Sequence, residues 1–188
     1  LEAPGFSLYR SEQTRSSDTA KSLLQRMGVA DPAAAAFLRA DNTVRQNLLG
    51  RAGQLVSAET TDDHSLVRLT ARWATDDSGT FRRLVVERKG EGFASRIETA
   101  PLTKGTRLAG GVIRSSLFAA TDAANIPDAV AMQVAEIFSG NIDFHRSLRK
   151  DDRFAVVYET LEADGEPLRT GRVLSTEFRN NGKTYEAV

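Results

Sequence analysis

The apolar residues of this chain change period twice, and no other feature constrains the fold as strongly. Between residues 18 and 50 they recur at helical spacing. Ala20, Leu23, Leu24 and Met27 form one stripe, the run Ala33 to Ala40 with Phe37 forms a second, and Val44, Leu48 and Leu49 mark a third, shorter one. From Gln54 to Glu59 onward the period falls to two. Val67, Leu69, Ala71 and Trp73 alternate with Arg68, Thr70 and Arg72, the pattern of an antiparallel strand buried on one face. The same succession returns beyond Gly111. Leu117, Phe118 and Ala120 to Ala124 are followed by Val130, Val134, Ile137 and Phe138 at helical spacing, and then Phe154, Val156 and Tyr158 alternate. Helices this short need a surface to pack on. Two sets of them, each followed by antiparallel strands, predict an α+β fold of two small modules, each with short helices packed on an antiparallel sheet.

Local signals place the element ends. Asp18 is the expected N-cap of the first helix and Gly28 its C′ residue. Asp31-Pro32 opens the second helix, and Gly50 closes the third. Asp76-Asp77-Ser78-Gly79 and Gly90-Glu91-Gly92 read as turns around strands Phe81 to Arg88 and Phe93 to Ala100, giving a meander of about four strands. The opening segment, Leu1 to Ser17, is expected to be an extended lead-in with one strand around Phe6 to Tyr9. Pro101 to Gly111, with one Pro and three Gly, is the expected boundary. It divides a first module at residues 10–104 from a second at 105–188. In the second, Ser115 or Ser116 caps a helix, Asn125 ends it in a left-handed conformation, Pro127 opens the next and Gly140-Asn141 closes that one. Asp164-Gly165 and Asn181-Gly182 are tight turns on either side of a strand running from Arg172 to Phe178.

Chemistry is sparse. Lys+Arg and Asp+Glu both number 25, which argues against nucleic acid as the main partner. No cysteine is present, so disulfides and thiolate metal sites are excluded. No apolar run approaches the ~20 residues of a membrane span. Only two histidines occur. His64, in a Thr-Asp-Asp-His-Ser turn, reads as a solvated loop residue, and His145, between Phe144 and Arg146, as a partly buried packing residue. Neither falls in a zinc-ligand spacing, and no G-x-S-x-G elbow is present. Glu136 and Asp143 straddle a helix end at a spacing slightly beyond that of an inverting glycosidase pair, and Asp143 reads better as a turn or cap residue. Gly110-Gly111 lacks phosphate-loop spacing and reads as flexibility or a bulge near a strand. Arg82, Arg83, Arg88 and Lys89 read as the exposed face of a strand, and Trp73 as core. No residue within 1–188 is expected to be catalytic or to bind metal.

Several pieces, in order, carry a family resemblance: GVIRSSLFAATDAANIPDAVAMQVAEIFSGNIDF, LRKDDRFAVVYE, GRVLSTEF and the terminal GKTYEAV. Over Gly111 to Val188 the chain resembles the accessory region that precedes the catalytic domain of LytM/lysostaphin-type zinc metallopeptidases acting on peptidoglycan. DTAKSLLQRMGVADPAAAAFL and GQLVSAE, within residues 18–59, resemble that group's LysM-like (OapA-like) N-terminal module. One departure is visible. The family commonly has Gly-Asp before the Arg/Lys-Phe of the first long strand, and here the pair is Asp151-Asp152, where Asp tolerates a left-handed turn.

The resemblance implies a non-catalytic regulatory or targeting region of a secreted, periplasmic or cell-envelope peptidoglycan metalloendopeptidase. It implies a following domain holding zinc, with no cofactor in residues 1–188. The implied partners are that C-terminal peptidase domain and peptidoglycan. A covering module fills a substrate groove with an acidic or amide side chain, and Asp62 and Asp63, on a strand-connecting loop, are the candidates for such an inhibitory loop. Tyr185-Glu186-Ala187-Val188 reads as a strand cut mid-stream. The rival reading is a stand-alone protein that binds wall glycan or activates a hydrolase.

Overall fold

A computed structural model describes residues 6–76 and 78–188. Residues 1–5 of the expected lead-in, and Asp77 of the expected turn at 76–79, lie outside the described residues. Among the described residues, five helices and nine strands in two antiparallel sheets make this an α+β protein, as the period changes predict. The chain divides between Leu102 and Thr103 into two compact units.

The first unit runs β1 (Leu8–Gln13), α1 (Ala20–Arg26), α2 (Pro32–Ala40), α3 (Asn42–Asn47), β2 (Leu55–Thr60), β3 (Leu66–Trp73), β4 (Thr80–Lys89) and β5 (Gly92–Pro101), with sheet order β1-β2-β3-β4-β5. Leu23, Leu24 and Leu38 from the helices share a core with Val56, Leu69, Ala71, Leu84 and Val86 from the strands. Each fully buried Leu contributes about 1.5–3 kcal/mol, which stabilises helices too short to form alone. Trp73, read as core, is half-buried and packs against the core cluster.

Three expectations need correction here. The N-cap of α1 is Thr19, whose hydroxyl accepts from Ser22 N at 3.1 Å while Thr19 N donates to Ser22 Oγ at 2.9 Å. Asp18 lies one residue outside. It is buried and accepts from Arg15 N at 2.8 Å, from Ser22 Oγ and from the Arg26 guanidinium. A long cation eight residues on thus claims the carboxylate expected to cap the helix. The N-terminal strand is Leu8–Gln13 rather than Phe6 to Tyr9. Five of its six residues are exposed, so no burial alternation marks it, and backbone pairing to β2 defines it. In β3, Leu66 rather than Val67 enters the core, because a bulge at Glu59/Thr60 pairs Thr60 with Leu66 and shifts the register.

The second unit runs β6 (Thr103–Val112), α4 (Leu117–Ala123), α5 (Asp128–Ile137), β7 (Arg153–Ala163), β8 (Glu166–Asn180) and β9 (Lys183–Ala187), ordered β6-β7-β8-β9. Ser116 caps α4, its hydroxyl accepting from Ala119 N at 3.1 Å. The buried stripe of α5 is Val130, Ala131, Val134 and Phe138. Ile137, expected on that face, is 40% exposed, because the inward positions at the helix end go to Phe138 and the following Ile142. Phe178 is fully buried among Phe138, Phe144 and Phe154, with ring centroids 5.6–6.3 Å away. Asp164-Gly165 and Asn181-Gly182 both adopt paired positive φ, as two-residue hairpin turns require.

The Asp151-Asp152 pair before β7 behaves as its turn demands. Asp151 sits at φ 73. Asp152, 5% exposed, accepts from Arg149 N at 2.8 Å and Asn180 Nδ2 at 2.7 Å on one oxygen, and from Asn181 N at 3.0 Å on the other. It ties the loop before β7 to the β8–β9 turn. Burial pushes its pKa up, but the donors from Asn181, Arg149 and Asn180 outweigh that and hold the carboxyl below its ordinary value.

Candidate functional site

Asp62 and Asp63 occupy the loop between β2 and β3. Thr61 N donates to Ser65 O, and His64 N to Thr61 O, each at 3.0 Å, so the backbone closes on itself. His64 takes φ 66 at the turn and is exposed, as expected of a loop residue. The two carboxylates differ in what they are free to do. Asp63 accepts the Thr61 hydroxyl and Ser65 N, and these bonds hold its carboxyl below its ordinary pKa. Asp62 is exposed and takes no part in those bonds. Both carboxylates are exposed, Asp63 bonded within the loop and Asp62 outside those bonds.

The other candidates fall into structural roles. His145 is exposed rather than partly buried, because Phe144 and Leu148 on either side supply the apolar contacts of that loop. Asp143 accepts from His145 N at 3.0 Å and Arg146 N at 3.2 Å, the turn role preferred for it over general-acid chemistry. Gly110-Gly111 marks close packing rather than flexibility. A Cβ at Gly110 would lie 2.6 Å from the Phe154 carbonyl oxygen, and one at Gly111 would lie 3.1 Å from the Phe154 ring. The basic run on β4 does not act as one patch. Arg83 pairs with Glu98 at 2.7 Å, while Arg88 reaches Asp31 at 2.6 Å and stacks over Phe93. Arg68, Glu87, Arg96 and Glu98 continue the alternation of charge across β3, β4 and β5.

His64 and His145 lie in different units, and no three His, Cys, Asp or Glu side chains come together among the described residues. The residues present therefore do not fit a zinc site, and no chemical step is assigned to them. No helix among the described residues is long and apolar enough to cross a membrane.

A feature that sequence reading missed is a groove of about 500 Å³ between α1 and α2. Leu24, Val29 and Ala35 are among its apolar lining residues, and Lys21 and Arg39 also line it. Its signal was present, since Lys21, Leu24 and Gln25 share one face of α1 and Asp31, Ala35 and Arg39 share one face of α2. Adjacent helix faces become a groove only once the helices pack.

No protein-family model matches the chain. Over 108 residues it is 26% identical to the peptidoglycan DD-endopeptidase ShyC of Vibrio cholerae, a match covering 57% of this chain and 25% of that protein. Among solved structures, a zinc-containing peptidase from Vibrio cholerae aligns at 16% identity and a TM-score of 0.44, over 95% of this chain and 53% of the other. Helicobacter pylori Csd3, in its hexagonal crystal, aligns at 14% identity and a TM-score of 0.47, over 94% and 47%. The chain thus has weak sequence similarity to a peptidoglycan DD-endopeptidase, and the match spans a quarter of that relative's length.

Proposed function

We propose that this chain is the non-catalytic part of a peptidoglycan metalloendopeptidase of the bacterial envelope, and that it covers or positions a zinc peptidase domain. The observation that carries the reading is the similarity to a quarter of a peptidoglycan DD-endopeptidase in a chain whose described residues gather no metal-ligand cluster. The zinc belongs to the partner domain. In this reading the β2–β3 loop enters the substrate groove of that domain and Asp62 is its leading carboxylate, with Asp63 holding the loop's shape.

Tethering raises the effective concentration of a module to about the millimolar range. A contact too weak to persist between free molecules can therefore hold an enzyme latent within one chain. The test adds residues 1–188 in trans to an isolated zinc peptidase domain acting on purified sacculi. Slowing at about 100 µM, relieved by Asp62→Ala, is the expected result. Unchanged cleavage at about 1 mM, the tethered concentration, would remove the reading.

A further inference from the structure

The groove between α1 and α2 combines an apolar floor with uncompensated positive charge. Lys21 stands on the first turn of α1 and Arg39 on the last turn of α2, and both are exposed. No ion pair reaches either among the described residues, whereas Arg26, Arg68, Arg83, Arg88 and Arg96 each meet a carboxylate. The one acid lining the groove, Asp31, is already committed. Its Oδ1 accepts from Ala34 N at 3.1 Å, and its Oδ2 accepts from Leu66 N at 3.1 Å and from Arg88 at 2.6 Å. The groove therefore presents two unbalanced cations beside Ala30, Pro32 and Ala35, over Leu24 and Val29, which are buried in the first core.

An occupant must match that charge and that floor. A neutral sugar chain would gain nothing from either cation, which water solvates as well without it. A long acidic helix would need a larger apolar surface than about 500 Å³ offers. Short peptides bearing carboxylates between small methyl groups satisfy both demands. We propose that this groove is an accessory site for the acidic stem peptide of peptidoglycan, its carboxylates on Lys21 and Arg39 and its alanine methyl groups on Ala30, Pro32 and Ala35. This rests on the wall-related reading above but not on any contact with a peptidase domain. The groove would hold wall peptide near a tethered enzyme.

The test titrates the intact, isotope-labelled chain with the free tetrapeptide L-Ala-γ-D-Glu-meso-diaminopimelate-D-Ala, and separately with chitotetraose, following amide resonances. The expected result is saturable shifts at Ala30 and Ala35 with Kd of about 1 mM, weakened by added salt, and no groove shifts with the neutral sugar. The double variant Lys21→Ala/Arg39→Ala should weaken the peptide about fivefold, as two exposed ion pairs imply, and Lys21→Arg/Arg39→Lys should restore it. The proposal is overturned by absence of groove shifts at about 10 mM peptide, an order of magnitude above that Kd. Equal binding by the double alanine variant, or the same shifts with chitotetraose, also overturns it. Because no peptidase is present, each outcome is independent of whether the chain slows a catalytic domain.

Discussion

Asp152 is the most informative single position to perturb, because one carboxylate satisfies donors from two separate segments of the second unit. Asp152→Ala removes the acceptor for Arg149 N, Asn181 N and Asn180 Nδ2. A hydrogen bond to a charged group contributes about 1.5–3 kcal/mol net, but truncation lets water reach some of the freed donors, so the loss is about 3 kcal/mol rather than the full sum. For a unit of this size that lowers Tm by about 15 °C. Asp152→Asn separates charge from shape. Two donors share one oxygen and the third uses the other, so the amide NH2 must displace at least one bond in either orientation, at a cost of about 2 kcal/mol. The assay is hydrogen exchange during denaturant unfolding, which follows residues 103–188 directly. Trp73, the only tryptophan, reports the first unit by fluorescence. Losses below about 0.5 kcal/mol in both variants, the level of an ordinary surface substitution, would refute the claim that Asp152 is the tie.

Other consequences follow from particular residues. Asp151→Gly should stabilise the second unit by about 0.5–1 kcal/mol, because Asp151 holds a positive φ that glycine adopts without strain, whereas Asp151→Val should destabilise it in the same denaturation. Gly110→Ala should cost about 2 kcal/mol, since its new Cβ would meet the Phe154 backbone oxygen at 2.6 Å and force β6 away from β7. Acidification should destabilise both units. Burial raises the Asp18 pKa, but the Arg26 guanidinium, the Arg15 amide and the Ser22 hydroxyl outweigh it and hold the carboxyl low. Asp152 is held low by its own donors. A depressed folded pKa contributes stability above the unfolded value, about 3.9, and that stability is lost as pH falls through the folded pKa. Asp18→Asn should therefore flatten the acid limb read at Trp73, and an unchanged acid limb would contradict this.

What could be read from the sequence depended on whether a signal was local. Helical stripes and strand alternation are set by which side chains avoid water, and they were sufficient to predict the α+β class and most elements. Asn181-Gly182 and Asp164-Gly165 specify their turns through backbone preference alone. At Asp151 the turn was expected from the family resemblance, and the tolerance of Asp for a left-handed φ lets it survive without glycine. The candidate site was less legible. The loop holding Asp62 and Asp63 was visible as a connection between strands, but the division of labour between the two carboxylates depends on where Thr61 and Ser65 direct their donors.

Everything decided by partners distant in sequence required the tertiary structure. Asp18 reads as a helix cap until Arg26 reaches back to it, and β1 shows no burial alternation because an edge strand is held by backbone bonds rather than by a buried face. Leu66 replaces Val67 in the core because β3 carries an extra residue opposite Glu59 and Thr60, which shifts the pairing by one and exchanges faces along the strand. Gly110-Gly111 looked permissive in isolation and proved to be where β7 approaches too closely for a side chain. Lys21 and Arg39 stand eighteen positions apart in the sequence and share one groove only after two helices pack. The sequence by itself thus determined the elements, because hydrophobic period and turn preference act over a few residues. Only the tertiary structure decided registers, ion partners and surfaces, because these depend on which segments the chain brings together.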